Sequence, residues 1–273
     1  MTAEPTPTGR PRWLIAVLVA AVVAAAVGIA VGWRLFRSGD TQHDPTCQRP
    51  VAPLSAPTQP AQPGLSVTEQ GHGVAGHAVS IGAIITNTSQ QAAYRTRVTF
   101  RVLKADGTAL IEPNGAAFLY QEIPVILPGQ RIAVGANAGI AAERIPAIDR
   151  VEINLGSTRW VPADTTDPLY RPVKVTIVGN TSNSIQFNLT TDGCTGFTER
   201  GVGAVYRNPA GTIVGGALTG GTAKGLCDGV GGPQSAATPD LPPDTDVSKT
   251  QISVYCDVAG APKDRSGATP PAN

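Results

Sequence analysis

The segment YRTRVTFRV, residues 94–102, alternates two kinds of side chain along its whole length. Tyr94 and every second residue after it are mostly apolar, whereas Arg95, Arg97 and Arg101 occupy positions between them. Successive side chains of a β-strand point to opposite faces of a sheet, so this period of two predicts a half-buried strand. The pattern places the three arginines on the solvent-facing side, either as an ordinary solvated face or as a contact surface for an anionic partner.

Similar strand patterns lie on both sides of residues 94–102. Val79–Ile85 predicts a strand that ends at the polar turn Asn87-Thr88-Ser89. After residue 102, Asp106-Gly107 predicts a hairpin turn into a partner strand, Thr108–Glu112. The other strands predicted before residue 157 are 118–127, 131–134 and 151–155. Because no stretch after residue 33 repeats apolar residues with the helical period, this part of the chain is predicted to be mainly β.

The strand pattern begins again after residues 157–172, a segment rich in proline and aspartate. Three landmarks recur in the same order in the two halves. They are Asn-Thr-Ser after a strand (87–89 and 180–182), Gly-Thr in a turn (107–108 and 211–212), and Pro then Asp before an alternating strand (146–153 and 243–252). The repetition predicts two β-sandwich domains, residues 65–156 and 173–258, joined by the linker 157–172.

This arrangement resembles the FxLYD-type and related immunoglobulin-like modules of bacterial surface and envelope proteins. In the first copy the resemblance rests on Gly82 before Asn87-Thr88-Ser89, the alternating strand, and the turns Asp106-Gly107 and Leu127-Pro128-Gly129. The second copy matches through residues 178–182 and 205–216, but it lacks a Leu-Pro-Gly turn and carries a glycine-rich insertion and cysteines. The resemblance implies two tandem immunoglobulin-like β-sandwich domains without an assigned enzymatic activity.

Residues 14–32, LIAVLVAAVVAAAVGIAVG, contain no charged or strongly polar side chain and lie between Trp13 and Trp33. An apolar helix of about 20 residues spans roughly 30 Å, which is the thickness of the hydrocarbon layer. Tryptophan is enriched at membrane interfaces, and here arginines lie just outside each tryptophan, before Trp13 and after Trp33. Residues 13–33 are therefore predicted to be one transmembrane helix, in contact with the bilayer through residues 14–33. A cleaved signal peptide usually has a shorter apolar region.

Small residues recur at every fourth position of this predicted helix, and they are Ala16, Ala20, Ala24, Gly28 and Gly32. Small residues allow two helix backbones to approach closely in lipid, so the stripe predicts a helix-packing face. The expected partner is a second copy of the chain or an integral membrane protein complex. The high alanine content of the segment offers a purely compositional explanation of the same stripe.

The four cysteines, Cys47, Cys194, Cys227 and Cys256, all follow the predicted helix. An even number of cysteines in a β-rich arm favours an oxidising compartment. The tail 1–12 is therefore predicted to be cytoplasmic, and the bulk of the chain extracytoplasmic on the cell membrane. This bulk comprises the proline-rich stalk 34–64, the two domains and a disordered tail, 259–273.

Three pairings of these cysteines are conceivable. The preferred pairing joins Cys194 to Cys227, which braces the glycine-rich loops, and Cys47 to Cys256, which ties the stalk to the last strand. The competing arrangement joins Cys194 to Cys256 and leaves Cys47 free or bridging two chains.

Other chemistry-bearing residues do not form a recognisable site. His43, His72 and His77 are the only histidines, and the sequence Gly71–His77 is predicted to be a solvated turn rather than a zinc site. The glycine-rich stretch 215–232 is predicted to be a flexible loop, because Lys224 precedes Gly225 and not the Ser or Thr of a phosphate-binding loop. Prolines separate Asp240 from Asp244 and Asp246, which disfavours calcium binding. No cofactor is expected.

The composition limits the remaining functions. The net charge of +1 offers no basis for binding nucleic acid. Arginine outnumbers lysine, and alanine and glycine are abundant, as is typical of GC-rich bacterial genomes such as those of actinobacteria. The chain is predicted to be a non-catalytic, single-pass accessory or scaffold protein of the cell envelope. The alternative is an envelope binding module or carrier for a lipid or glycan.

Overall fold

The computed structural model describes residues 57–60, 64–111, 119–164, 166–181, 184–194, 197–219, 227, 233–238 and 241–258. All of them belong to one compact unit, Pro45–Asn273. The predicted tails 1–12 and 259–273, the predicted helix 13–33 and most of the predicted stalk lie outside these residues. Within the described part of the chain, no helix is long and apolar enough to cross a membrane.

The first half of the described chain contains seven strands. They are β1 (Leu65–Ala75), β2 (Ala78–Asn87), β3 (Gln91–Leu103), β4 (Tyr120–Ile126), β5 (Arg131–Gly139), β6 (Arg150–Leu155) and β7 (Arg159–Pro162). They form two antiparallel sheets with the orders β1-β2-β5 and β4-β3-β6, and β7 also pairs with β3. A short 3-10 helix, Ala142–Ala147, leads from β5 to β6.

The second half contains six strands and begins after a 3-10 helix, Pro168–Tyr170. They are β8 (Lys174–Asn180), β9 (Ser184–Thr190), β10 (Thr198–Arg207), β11 (Ile213–Thr219), β12 (Gln234–Ala237) and β13 (Asp246–Asp257). Their sheets have the orders β12-β9-β8 and β11-β10-β13. The prediction that this part of the chain is mainly β is therefore confirmed.

Each half buries its own apolar core between its two sheets. In the first half, Ile81 and Val134 of one sheet pack against Val98 and Phe100 of the other. In the second half, Phe187 packs against Tyr206 and its neighbours in the opposite sheet. These side chains are fully or almost fully buried, and burial of such side chains contributes about 1.5–3 kcal/mol each relative to exposure.

The two halves repeat one topology. The sheet orders β1-β2-β5 and β4-β3-β6 correspond strand by strand to β8-β9-β12 and β11-β10-β13. The long strand β13 pairs along β10 as β6 and β7 together pair along β3. Two of the predicted landmarks, the Gly-Thr turn and the Pro-Asp approach to an alternating strand, fall at equivalent places. The Asn-Thr-Ser landmark does not, because it follows β2 in the first half and β8, the counterpart of β1, in the second.

Three local predictions are wrong. Thr108–Glu112 does not continue as a paired strand over its described residues, since only an isolated bridge joins Ala109 to Leu103. Gly215 and Gly216 lie inside β11 rather than in a flexible loop. Gly71–Ala75 belongs to β1, where it pairs with β2, so that His72 is a half-buried strand residue and not part of a solvated turn.

The outer face of sheet β1-β2-β5 packs directly on sheet β11-β10-β13 of the second half. Four glycines, Gly82 and Gly135 on one side and Gly215 and Gly216 on the other, allow this contact, and we call them the glycine seam. A Cβ atom at Gly82 would lie 2.1 Å from the carbonyl oxygen of Gly215. Neither backbone could make this approach with a side chain between them.

Hydrogen bonds cross the same interface. The Ser80 hydroxyl donates to the Gly216 carbonyl at 2.8 Å and accepts from the Gly216 amide at 2.9 Å. The Tyr255 hydroxyl donates to the Ala133 carbonyl at 2.8 Å, and the Ala133 amide donates to the Ser253 hydroxyl at 2.8 Å. These bonds satisfy polar groups that would otherwise be buried without partners, which is the costly alternative in a dry interface.

Candidate functional site

The predicted arginine face is the outer surface of sheet β4-β3-β6, which carries Arg95, Arg97 and Arg101 on β3. Arg95 donates to Glu122 of β4 at 2.9 Å and lies 3.9 Å from Asp257 of β13. Arg101 pairs with Glu152 of β6 at 3.2 Å. Carboxylates of the neighbouring strands thus neutralise two of the three arginines, so that the face is not a uniformly cationic surface.

Arg95 also changes the direction of β3. Its φ of 52° lies in the left-handed region, which a residue with a Cβ seldom occupies. Ala93 and Val98 both belong to the first core, whereas Tyr94 belongs to a separate cluster. The prediction that Tyr94 shares one face with Val98 is therefore wrong, because the backbone turns at Arg95 and breaks the period of two.

Arg97 differs from the other two arginines of this face. It is exposed, and within the described residues no acidic side chain forms an ion pair with it. Its partner in the strand register is Glu122, whose carboxylate instead binds Arg95. On the β6 side the nearest position is Gly156, whose amide donates to the Arg97 carbonyl at 2.8 Å and which has no side chain to cover the guanidinium.

The next row across the same face is polar and partly aromatic. Thr99 lies opposite Tyr120 on β4 and opposite Asn154 on β6. All three side chains are exposed, and Tyr120 is 46% exposed, which makes it one of the few large apolar side chains on the described surface. Arg97, Thr99 and Tyr120 form the centre of the face, between the Arg95–Glu122 and Arg101–Glu152 ion pairs. Arg97 is the one charged side chain of the three.

Asp257 connects the arginine face with the second half. Its side chain is 3% exposed, and Arg200 of β10 binds it at 2.8 Å. Arg95 approaches the same carboxylate from β3. A buried carboxylate is retained only when cations or hydrogen-bond donors compensate its lost hydration, and here two guanidinium groups from different halves do so.

The adjacent residues form a second apolar interface between the halves, which we call the junction cluster. It includes Tyr94, Val161, Tyr170, Phe197, Cys227 and Cys256. Burial raises the pKa of the Tyr94 hydroxyl well above its usual range. Residues 157–172, which were predicted to be a linker, do connect the halves, and they also contribute β7 and the buried side chains of Leu169 and Tyr170.

The disulfide pairing differs from both predicted arrangements. Cys227 is bonded to Cys256, with a Cα–Cα distance of 6.0 Å and a sequence separation of 29. Cys194 lies in the same cluster and is itself disulfide-bonded, while Cys47 is outside the described residues. The sequence offered no means of choosing this pairing, because it depends on the tertiary fold that places Cys256 of β13 beside Cys227.

A charged group at the other end of the interface also joins the halves. Glu69 of β1 accepts a hydrogen bond from Arg207 of β10 at 2.7 Å and pairs with Arg131 of β5. The Arg207 hydrogen bond, helped by the charges of both arginines, lowers the pKa of Glu69. Because the folded pKa lies below the unfolded value, this stabilisation is complete above the unfolded pKa and is lost as the pH falls through the folded pKa.

We therefore expect Glu69→Gln to reduce the acid sensitivity of the protein. The free energy of unfolding of the parent should fall more between pH 7 and pH 3 than that of the variant, by up to about 1 kcal/mol, as for a partly exposed pair. Urea unfolding at the two pH values measures the difference. Glu143→Gln, at an exposed position of the 3-10 helix Ala142–Ala147, is the control and should leave the acid sensitivity unchanged. Equal changes in both variants would contradict this assignment.

The other candidate residues remain dispersed. Burial lowers the pKa of His72 in β1, while His77 is exposed at the turn to β2; His43 lies outside the described residues. Asp246 begins β13 and accepts hydrogen bonds from Ser248, whereas Asp240 is not among the described residues. In the described ranges no group of three or more His, Cys, Asp or Glu residues is placed to hold a metal ion.

The helix-packing residues Ala16, Ala20, Ala24, Gly28 and Gly32 lie outside the described residues, and their role stays a prediction. No protein-family model and no curated protein sequence matches the chain. Sequence reasoning missed Tyr120 and Asp257, although the alternation of Tyr120 and Glu122 beside an arginine-bearing strand could have indicated cross-strand pairs.

Proposed function

We propose that the chain is a non-catalytic scaffold or accessory protein of the bacterial cell envelope. In this proposal residues 13–33 anchor it in the cell membrane, and two tandem immunoglobulin-like sandwiches project from the far side. The small-residue stripe of the helix binds a membrane protein complex or a second copy. The two sandwiches then present a contact surface at a set distance from the bilayer.

The glycine seam is the observation that best supports a scaffold. Two sandwiches joined only by a linker would move independently, as is usual for domains with small or polar interfaces. Here Gly135 would place a Cβ atom 2.3 Å from the Ala217 amide nitrogen, and hydrogen bonds reinforce the contact. Backbone-to-backbone packing of this kind leaves no room for sliding, which suits a protein that holds a partner in a fixed position.

The alternative role, a carrier for a lipid or glycan, has less support. A carrier requires an apolar cavity for its ligand. In both described cores the inward-facing positions are filled by side chains such as Phe100 and Ile123 in the first half and Phe187 and Tyr206 in the second. The filled cores therefore favour the envelope scaffold over the carrier.

A combined fractionation and crosslinking experiment tests the proposal. The full-length chain, tagged at its C-terminus, is crosslinked in intact cells, extracted in mild detergent and analysed by mass spectrometry. We expect an intact N-terminus, resistance of the chain to carbonate extraction, and an integral membrane protein or a second copy recovered in stoichiometric amount. Replacing Gly28 and Gly32 by leucine should reduce this recovery at least about tenfold if the helix carries the contact.

Two outcomes would overturn the proposal. One is a mature chain that begins after Trp33 and leaves the membrane in carbonate. The other is a purified chain that retains a small lipid or glycan and no stoichiometric protein, which would instead support the carrier.

A further inference from the structure

We propose that the arginine face docks a protein partner through one acidic side chain, which binds Arg97, and that Tyr120 supplies the apolar contact beside it. The inference rests on the proposed scaffold function and specifies the chemistry of its partner. The partner is expected to present an aspartate or glutamate on an extended segment or loop.

The charges of the arginine face are nearly all paired. Arg95 is bound by Glu122 at 2.9 Å and Arg101 by Glu152 at 3.2 Å. Arg150 is bound by Asp149 at 3.1 Å. Each of these arginines already has a carboxylate, whereas none of the described carboxylates pairs with Arg97. Among the arginines of the arginine face, Arg97 is therefore the one that no described carboxylate neutralises, and its complement is one carboxylate.

The surroundings of Arg97 leave its guanidinium accessible to a partner. An arginine presents a planar fork of donors that fits a carboxylate in a bidentate manner. Because Gly156 has no side chain, the guanidinium remains open on the β6 side. Tyr120, Thr99 and Asn154 then continue the surface away from Arg97 with one aromatic ring, one hydroxyl and one amide.

This combination is typical of protein interfaces rather than of solvated strand faces. Tyrosine and arginine are enriched at the centres of interfaces, where they account for a large share of the binding energy. The surrounding ion pairs are already satisfied, so docking leaves their charges in place at the rim. The corresponding outer face of the other sheet of the first half, β1-β2-β5, is buried against the second half, so among the described residues the arginine face is the sheet face of this half that stays exposed.

Site-specific photocrosslinking in intact cells tests the proposal on the full-length chain. A benzophenone amino acid replaces Thr99, which is exposed next to Arg97. We expect a crosslink to a protein, with the attachment point next to an aspartate or glutamate. Arg97→Glu and Arg97→Gln should each lower the yield at least about tenfold, the loss expected for a central interface residue. Tyr120→Ser should also lower it.

The matched control is Arg144→Glu, which makes the same change of charge at an exposed position of the 3-10 helix Ala142–Ala147. This variant should crosslink like the parent. In an Arg97→Glu background, replacing the partner's contact carboxylate by arginine should restore the yield. The urea midpoint of each variant establishes that the fold is retained, and Arg97→Gln gives the test if Arg97→Glu unfolds.

Three outcomes would overturn the docking surface. They are a crosslinking yield that Arg97→Glu and Arg97→Gln leave unchanged, an adduct that is a lipid or glycan, and no adduct at Thr99. If the membrane protein is still recovered through the helix in these cases, only the docking surface fails. If that recovery also fails in the parent, the scaffold function fails with it.

Discussion

Replacing Gly135 by alanine should lower the free energy of unfolding by about 3 kcal/mol or more, at the upper end of the range for overpacking. The added methyl carbon would lie 2.3 Å from the Ala217 nitrogen, 2.6 Å from the Ala204 oxygen and 2.7 Å from the Gly216 carbon. All three are backbone atoms of strands in the opposite sheet. No side chain can move away to accommodate the methyl group, so the two halves must separate or the strands must bend.

The same strand supplies the control. Gly139 ends β5, and a Cβ atom there would have its nearest neighbour at 4.0 Å, the His77 oxygen. Gly139→Ala should therefore be neutral or stabilise the protein by about 0.4–1 kcal/mol, because alanine restricts the unfolded chain. Urea unfolding of the full-length chain in detergent, followed by circular dichroism, compares the two variants. Similar midpoints for Gly135→Ala and the parent would refute the glycine seam as the rigid connection between the halves.

Replacing Cys227 and Cys256 together by alanine should cost about 3.5 kcal/mol, the chain-entropy value for a closed loop of this length. Alanine is chosen because both positions are buried in the apolar junction cluster, where a serine hydroxyl would have to find a hydrogen-bond partner. The loss should appear as a lower urea midpoint under oxidising conditions.

Reduction of the parent provides the comparison for this variant. A reductant should lower the midpoint of the parent at least as far as the double substitution does, because Cys194 is also disulfide-bonded. It should lower the midpoint of the double variant by less. Non-reducing peptide mapping gives an independent readout, and a peptide that joins Cys194 to Cys227 or to Cys256 would show that the pairing is different.

Local sequence patterns were sufficient for much of the β-structure. The turn Asn87-Thr88-Ser89 closes β2 as predicted, because the side-chain amide (Nδ2) of Asn87 donates to the carbonyls of Gln91 and Ile126 at 2.8 and 2.9 Å. Strands β2, β3, β4, β5 and β6 overlap the predicted segments because the pattern of apolar residues is a property of neighbouring positions. The glycine-rich strand β11 was missed, because glycine contributes nothing to an alternation of apolar and polar side chains. Gly215 and Gly216 instead allow the close approach of sheet β1-β2-β5, which is distant in sequence.

Sequence-based prediction of the arginine face was limited in the same way. The sequence placed Arg95, Arg97 and Arg101 on one face of a strand, and that alternation holds from Arg95 onward. It could not show that Glu122 and Glu152 neutralise two of them, because the register of β3 with β4 and β6 involves residues 27 and 51 positions away. Nor could it distinguish Arg97, whose register partner Glu122 binds Arg95 instead.

The amino-acid sequence by itself determined the β character of residues 65–258, the repetition of one topology and most strand positions, because these depend on side-chain periods and turn residues close together in the chain. Only the tertiary structure decided that the two halves pack through glycines, that Cys227 pairs with Cys256, and that Arg97 is the one arginine of its strand face that no described carboxylate pairs with. Each of these depends on which residues far apart in the chain come into contact, and no local sequence pattern specifies such contacts.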